Sequence, residues 1–252
     1  KIGTGDRKIL IQGDSWAELL EKDPKNRDIF LGVHNAQFLL AGTSSYSPSL
    51  MSAQLNKIRF HFGESPETII AIIDQTDLGD ELCRYKNLRE VVNEKVVVRP
   101  VPPGEPGYYT LHSLFSKHEV LTLSLPFTFR LIKYEILNNQ IVKRMKTSKN
   151  KCGYNDILGI LKNNISDNHS RYWDNIFTEY INNVFSNLDT KRLILVTHPH
   201  KYHLNGDYVS NINDLVINSV KKSKYKHQIT LVDPYEENQM TRLDSLVRNS
   251  KF

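Results

Sequence analysis

The sequence predicts an α/β fold: a three-layer α/β/α sandwich around a five-stranded, mostly parallel sheet. Two observations predict it. Short runs of Ile, Leu and Val are nearly continuous rather than alternating, as in strands covered by helices on both faces. Between them lie segments with apolar residues at helical spacing, so strand and helix take turns along the chain.

The first strand is read at Lys8–Gln12 (KILIQ), followed by a helix at Ser15–Lys22 (SWAELLEK). A second strand at Gln37–Ala41 (QFLLA) leads to a helix over Ser49–Phe62, where Leu50, Met51, Leu55, Ile58 and Phe62 share one stripe. The third strand is Thr68–Ile73 (TIIAII). Pro100–Gly107 (PVPPGEPG) must be a loop, and Leu111–Asn139 reads as a helix broken near Pro126. Residues 91–168 are therefore read as a loop and helical insertion in a single domain spanning 1–252. Tyr172–Leu188 returns to a helical stripe of Ile176, Tyr180, Ile181 and Val184. The fourth strand is Arg192–Thr197 (RLILVT), then a helix at Asn211–Lys222 and a weaker fifth strand at Gln228–Asp233 (QITLVD).

Composition limits what such a chain can be. With 252 residues and 39% hydrophobic content it can bury a sizeable core. Its longest apolar run, within Glu67–Asp74, falls far short of the roughly 20 residues a membrane helix needs, so no membrane span is expected. Cys83 and Cys152 are too few for a disulfide framework, and no Cys/His spacing suggests structural zinc. Sparse cysteine and the lack of an apolar leader favour the cytoplasm slightly, while a chain trimmed of its leader before Lys1 would read the same. The net charge of +5 comes from Lys and Arg scattered in ones and twos. Their densest clusters, Lys221–Lys226 and Lys143–Lys151, follow helical segments and read as solvated faces, so no nucleic-acid partner is expected.

In an open parallel sheet, ligands bind beyond the carboxyl ends of the strands. Those ends carry Gly13, Asp14 and Ser15; Gly42, Thr43, Ser44 and Ser45; Asp74, Gln75, Thr76 and Asp77; and His198, Pro199, His200 and His203. Ser15 opens a helix directly after a buried strand. It is either an ordinary capping residue or a nucleophile beside amides that can receive an oxyanion.

Gly13-Asp14-Ser15 in this setting resembles the first block of the GDSL-type, or SGNH, hydrolases. The resemblance implies a flavodoxin-like sheet and a serine nucleophile at Ser15. Gly42 matches the second-block glycine, whose amide joins the oxyanion hole with that of Ser15. In the third block, Gly-x-Asn-Asp, Asp77 matches while Asp74 and Thr76 stand for Gly and Asn. Thr76 can donate one hydrogen bond at shorter reach than Asn. The fourth block, Asp-x-x-His, has no counterpart, since the segment after QITLVD contains no histidine; the base is expected either from elsewhere in the chain or from a block beyond Phe252.

Thr197–His203 (THPHKYH) offers substitutes for the missing base. His200 and His203 are the preferred candidates, with Asp77 as the acid that orients the base. The three histidines with Asp207 could also converge on zinc, or form a structural loop. The base reading is preferred, and no metal or cofactor is expected. Asp80 and Glu81 read as helix-terminus acids. Trp16, Asp14 and His198 are expected to contact substrate. Tyr46, Tyr108 and Tyr109 are further wall candidates.

The function that follows is a serine esterase or O-acyltransferase acting on an acylated carbohydrate or another small ester. The rival expectations are a non-catalytic module of the same fold that binds a glycan or protein, and a phosphate-binding domain. The latter lacks any Gly-rich phosphate loop.

Overall fold

A computed structural model describes residues 1–93, 95–98, 165–198 and 212–233. Five strands form one parallel sheet: β1 (Arg7–Gly13), β2 (Ala36–Gly42), β3 (Thr68–Asp74), β6 (Arg192–His198) and β7 (Ile229–Val232), in the order β2-β1-β3-β6-β7. With the separate hairpin β4 (Arg89–Val92) and β5 (Lys95–Val98) set aside, the core strands run 2-1-3-4-5. That is the flavodoxin-like order, whose switch point lies between β1 and β3.

The helices are α1 (Ser15–Lys22), α2 (Pro24–Leu31), α3 (Pro48–Phe62), α4 (Thr76–Asp80), α5 (Asp167–Asn182) and α6 (Ile212–Lys222). Alternation along the strands sorts their side chains between two faces. Leu10, Ile69, Ala71, Ile73, Leu193 and Leu195 join Met51, Leu55 and Ile58 of α3, Trp173, Phe177 and Tyr180 of α5, and Val216 of α6 in the main core. Ile9, Ile11 and Phe38 form a smaller core with Ala17, Leu20 and Phe30 of α1 and α2. Ile194 and Val196 on that second face are only half-buried. The apolar runs predict strands buried on both faces; the described helices cover one face more heavily than the other.

One buried polar side chain ties the layers together. Gln12 of β1 is wholly buried, and its amide donates to Met51 O at 3.2 Å and Gln54 Oε1 at 2.7 Å. Its carbonyl accepts from the Tyr180 hydroxyl at 3.1 Å. Satisfied in this way, it crosses the core without an unpaired group.

Three local features depart from the sequence reading. Helix α2 carries no buried residue, so no apolar stripe announces it; Asp23 caps it by accepting from Lys25 N at 3.0 Å, and Pro24 fills its first turn. Residues 91, 92 and 95–98, read as the start of a loop and helical insertion, belong to the antiparallel hairpin. Asn93, in the left-handed region at φ 50°, makes its turn, and Asn56 of α3 holds β5 through Val96 O at 3.1 Å. The remainder of the insertion up to residue 164 lies outside the described residues. Cys83, in the π-helical turn Glu81–Tyr85 after α4, is disulfide-bonded, so low cysteine content does not mean a chain without disulfides. Among the described residues, no helix is long and apolar enough to cross a membrane.

Candidate functional site

Strand β1 ends where the backbone must turn sharply into α1. Gly13 sits at φ 148°, and a Cβ there would fall 2.7 Å from the Ile72 carbonyl oxygen. Only glycine fits this passage between β1 and β3. Asp14 then caps α1, its Oδ1 accepting from Trp16 N at 2.9 Å. Ser15 is the first helical residue and half-buried, and its hydroxyl donates to Asp14 Oδ2 at 3.2 Å.

The first turn of α1 directs Trp16 across the sheet's carboxyl rim. Its indole Nε1 donates to Asp74 Oδ2 at 3.1 Å, and its ring stacks on His198 with centroids 3.9 Å apart. Asp74 and His198 are register partners at the ends of β3 and β6, so strand pairing sets both beside the indole. Asp74 also accepts from the amide and the hydroxyl of Thr76 through Oδ1. Both Thr76 donors are thereby committed to a carboxylate. The Asp74 amide donates to Asp77 Oδ2 at 3.0 Å, which closes the turn into α4.

The rim is thus crowded with carboxyl groups. One oxygen from each of Asp14, Asp74 and Asp77 lies within 4.8 Å of one from each of the other two, and all three residues are buried. Burial and the charge of Asp74 push the Asp14 carboxyl up to about 7. Asp77 is raised well above the ordinary carboxylate range, by burial first and then by Asp74 and Asp14. Burial likewise lifts Asp80 to about 7, although Arg84 Nε at 3.1 Å counters it. Glu81 is raised by burial while accepting from Ser47 Oγ and from the amide and hydroxyl of Ser49. Glu81 therefore satisfies the amino-terminal end of α3 from a distant segment. It is not the solvated terminal acid that its sequence position suggests, and Asp80 is buried as well.

The loop after β2 is pinned from two sides. Ser44 donates through its amide and hydroxyl to Glu18 Oε2 of α1, which together with Lys22 holds the Glu18 carboxyl down at about 2. Ser45, at φ 63° in the left-handed region, is fixed by Arg84 Nη1 at 2.6 Å and the Tyr85 hydroxyl at 2.8 Å. Gly42 has a packing reason of its own. A Cβ there would meet the Ala17 carbonyl carbon and the Glu18 nitrogen at 2.3 Å each. The glycine lets α1 lie directly on the end of β2.

Of the residues singled out from sequence, Asp14, Ser15, Trp16, Thr76, Asp77 and His198 thus gather at the ends of β1, β3 and β6, with Gly42 beside them under α1. His200, His203, Asp207, Tyr108 and Tyr109 lie outside the described residues. Tyr46 is partly buried against the main core. Asp74 emerges as the hub, although the sequence reading placed it only at a strand end, standing for the third-block glycine; its signal was the carboxylate closing an otherwise apolar strand. Arg84 and Tyr85 had no signal, because their contact with Ser45 spans about forty residues. A cleft of about 360 Å³ lined by Arg7, Glu67, Lys191, Arg192 and His227 opens at the opposite rim, where the strands begin. It is remote from Ser15, and Lys191 already pairs with Glu67 there at 3.3 Å.

No family profile matches this chain, and no curated protein matches it. Among solved structures, the crystal structure of LAE5, an alpha/beta hydrolase enzyme from the metagenome of Lake Arreo, Spain, is similar at 12% identity. The likeness covers 96% of this chain and 83% of that one with a TM-score of 0.41, too slight to argue from. The fold assignment rests on the sheet order, and the functional reading on the rim residues.

Proposed function

We propose that this chain is an SGNH-like serine esterase or O-acyltransferase, removing or transferring O-acetyl groups on a carbohydrate, with Ser15 as nucleophile. The observation that carries the reading is the position of Ser15. A half-buried hydroxyl stands at the amino terminus of α1, beside the β1/β3 switch point of a flavodoxin-like sheet. Free amides and the helix dipole at such a terminus favour developing negative charge.

A histidine, His200 or His203, takes the Ser15 proton as Oγ attacks the acyl carbonyl carbon. The amides of Ser15 and Gly42 receive the oxyanion. The protonated base returns its proton to the leaving alcohol as the ester C–O bond breaks. Water then releases the acyl group as acid, or a sugar hydroxyl accepts it. Asp77 is the candidate for orienting the base. Trp16 stacked on His198 offers an aromatic surface for the substrate beside Asp14. The carbohydrate assignment comes from the family resemblance.

Thr76 favours a second reading. Both of its donors turn to Asp74, so the position that carries the family's oxyanion asparagine has no hydroxyl proton to offer in this geometry. Losing one such donor typically costs on the order of 10²–10³ in turnover. A catalytically inactive module that binds a glycan or partner protein in the same cleft is the alternative. Hydrolysis of p-nitrophenyl acetate by the parent and by Ser15→Ala decides. A fall of at least about 10³-fold in the variant is expected for a nucleophile. Equal rates overturn the serine mechanism.

A further inference from the structure

We propose that Asp14, Asp74 and Asp77 form a binding site for a hard divalent cation of the Mg²⁺, Ca²⁺ or Mn²⁺ class, an inference that does not depend on Ser15 being a nucleophile. The three carboxylates come from two strand ends and a helix start, yet they converge within 4.8 Å in the interior. An all-carboxylate oxygen set suits these ions and not zinc or copper.

The second observation is an atom with nothing to bind. Asp77 is 0% exposed, and its Oδ1 has no hydrogen-bond partner. Its Oδ2 accepts the Asp74 amide, which holds the carboxylate in place. Leaving a buried acceptor bare is costly, and a cation at this oxygen removes the cost.

The neighbours are arranged as supports for metal ligands. Asp14 accepts from Trp16 N and the Ser15 hydroxyl, and Asp74 from Trp16 Nε1 and both Thr76 donors. These uncharged donors orient the carboxylates, as outer-shell partners of bound metals do. They bring no compensating charge. The histidines, considered from sequence as zinc ligands, are not needed: the described one, His198, stacks on Trp16.

The test is calorimetric titration of the EDTA-treated full chain with MgCl₂, CaCl₂ and MnCl₂, followed by melting curves with and without each salt. Saturable binding with a rise in Tm is expected for at least one ion. Asp77→Asn is expected to weaken binding by at least about tenfold. Should that variant not fold, Asp14→Asn, which keeps a capping side chain, takes the same measurements. Absence of both heat and Tm shift for all three ions overturns the proposal, and so does unchanged affinity in a folded variant. If Asp77→Asn raises the stability of the metal-free chain and the parent binds none of the ions, a shared proton holds the acids together, and the proposal fails.

Discussion

Replacing Gly42 with Ala tests whether α1, and Ser15 with it, is seated on the end of β2. The added Cβ would lie 2.3 Å from both the Ala17 carbonyl carbon and the Glu18 nitrogen, and 2.6 Å from the Ala17 Cβ. Attractive contact begins near 3.5 Å, so α1 must retreat by more than about 1 Å. Two of the three clashing atoms are main chain, and no change of rotamer relieves them. Overpacking of this kind costs about 1–3 kcal/mol, and the rigidity of a helix's first turn places Gly42→Ala toward the upper end. The gain in strand propensity returns about 0.5–1 kcal/mol, leaving a net loss of about 2 kcal/mol. Urea unfolding followed by circular dichroism measures it, with Gly32→Ala as control. Gly32 lies at φ −72°, and an added Cβ there meets nothing closer than 3.4 Å. Because Ser15 precedes Ala17 by two residues, Gly42→Ala should also displace the hydroxyl and depress any esterase rate. Stability within about 0.5 kcal/mol of the parent, equal to that of the control, would refute the seating of α1 described above.

Two further perturbations follow from the buried acids. Glu81→Gln replaces a carboxylate that accepts from three donors of Ser47 and Ser49 with an amide that keeps only one acceptor oxygen; a loss of about 1–3 kcal/mol is expected, with faster amide exchange at Ser49, and unaltered exchange would count against the cap. The Asp14 and Asp80 carboxyls are raised to about 7, so the folded chain holds protons that the unfolded chain has released above the model-peptide range near 4. Stability in EDTA should therefore be greatest in mild acid and fall as pH rises from 5 to 7. The loss is about 2–3 kcal/mol for one such group, and the two do not simply add because they interact. A Tm that climbs over that interval would contradict this assignment.

Much of the fold was written locally. KILIQ, QFLLA, TIIAII and RLILVT are continuously apolar between their ends, and each is a strand within a residue or two of the expected ends. The stripes of Ser49–Phe62 and Asn211–Lys222 are likewise helices. Such elements are legible because the period of their apolar residues directly reflects which side must leave water. Helix α2 and the β4–β5 hairpin lacked that signal. The former has no fully buried residue and sets only Phe30, half-buried, against the smaller core, and the latter is held by contacts with α3 from far along the chain.

The candidate site divides along the same line. Sequence order alone placed Gly13, Asp14 and Ser15 at a strand end, and glycine at positions 13 and 42 where the backbone comes close to its neighbours. It could not tell which polar groups at four strand ends would meet. The register of β3 with β6 decided that, setting Asp74 opposite His198, and the first turn of α1 laid Trp16 across both. Sheet order then brought Asp14 against Asp74 and Asp77 in the interior, where burial raises the carboxyls of Asp14 and Asp77 above the ordinary carboxylate range. Residue type is a local property. The electrostatic cost of charge depends on what else is buried beside it, and only the packed chain supplies those neighbours.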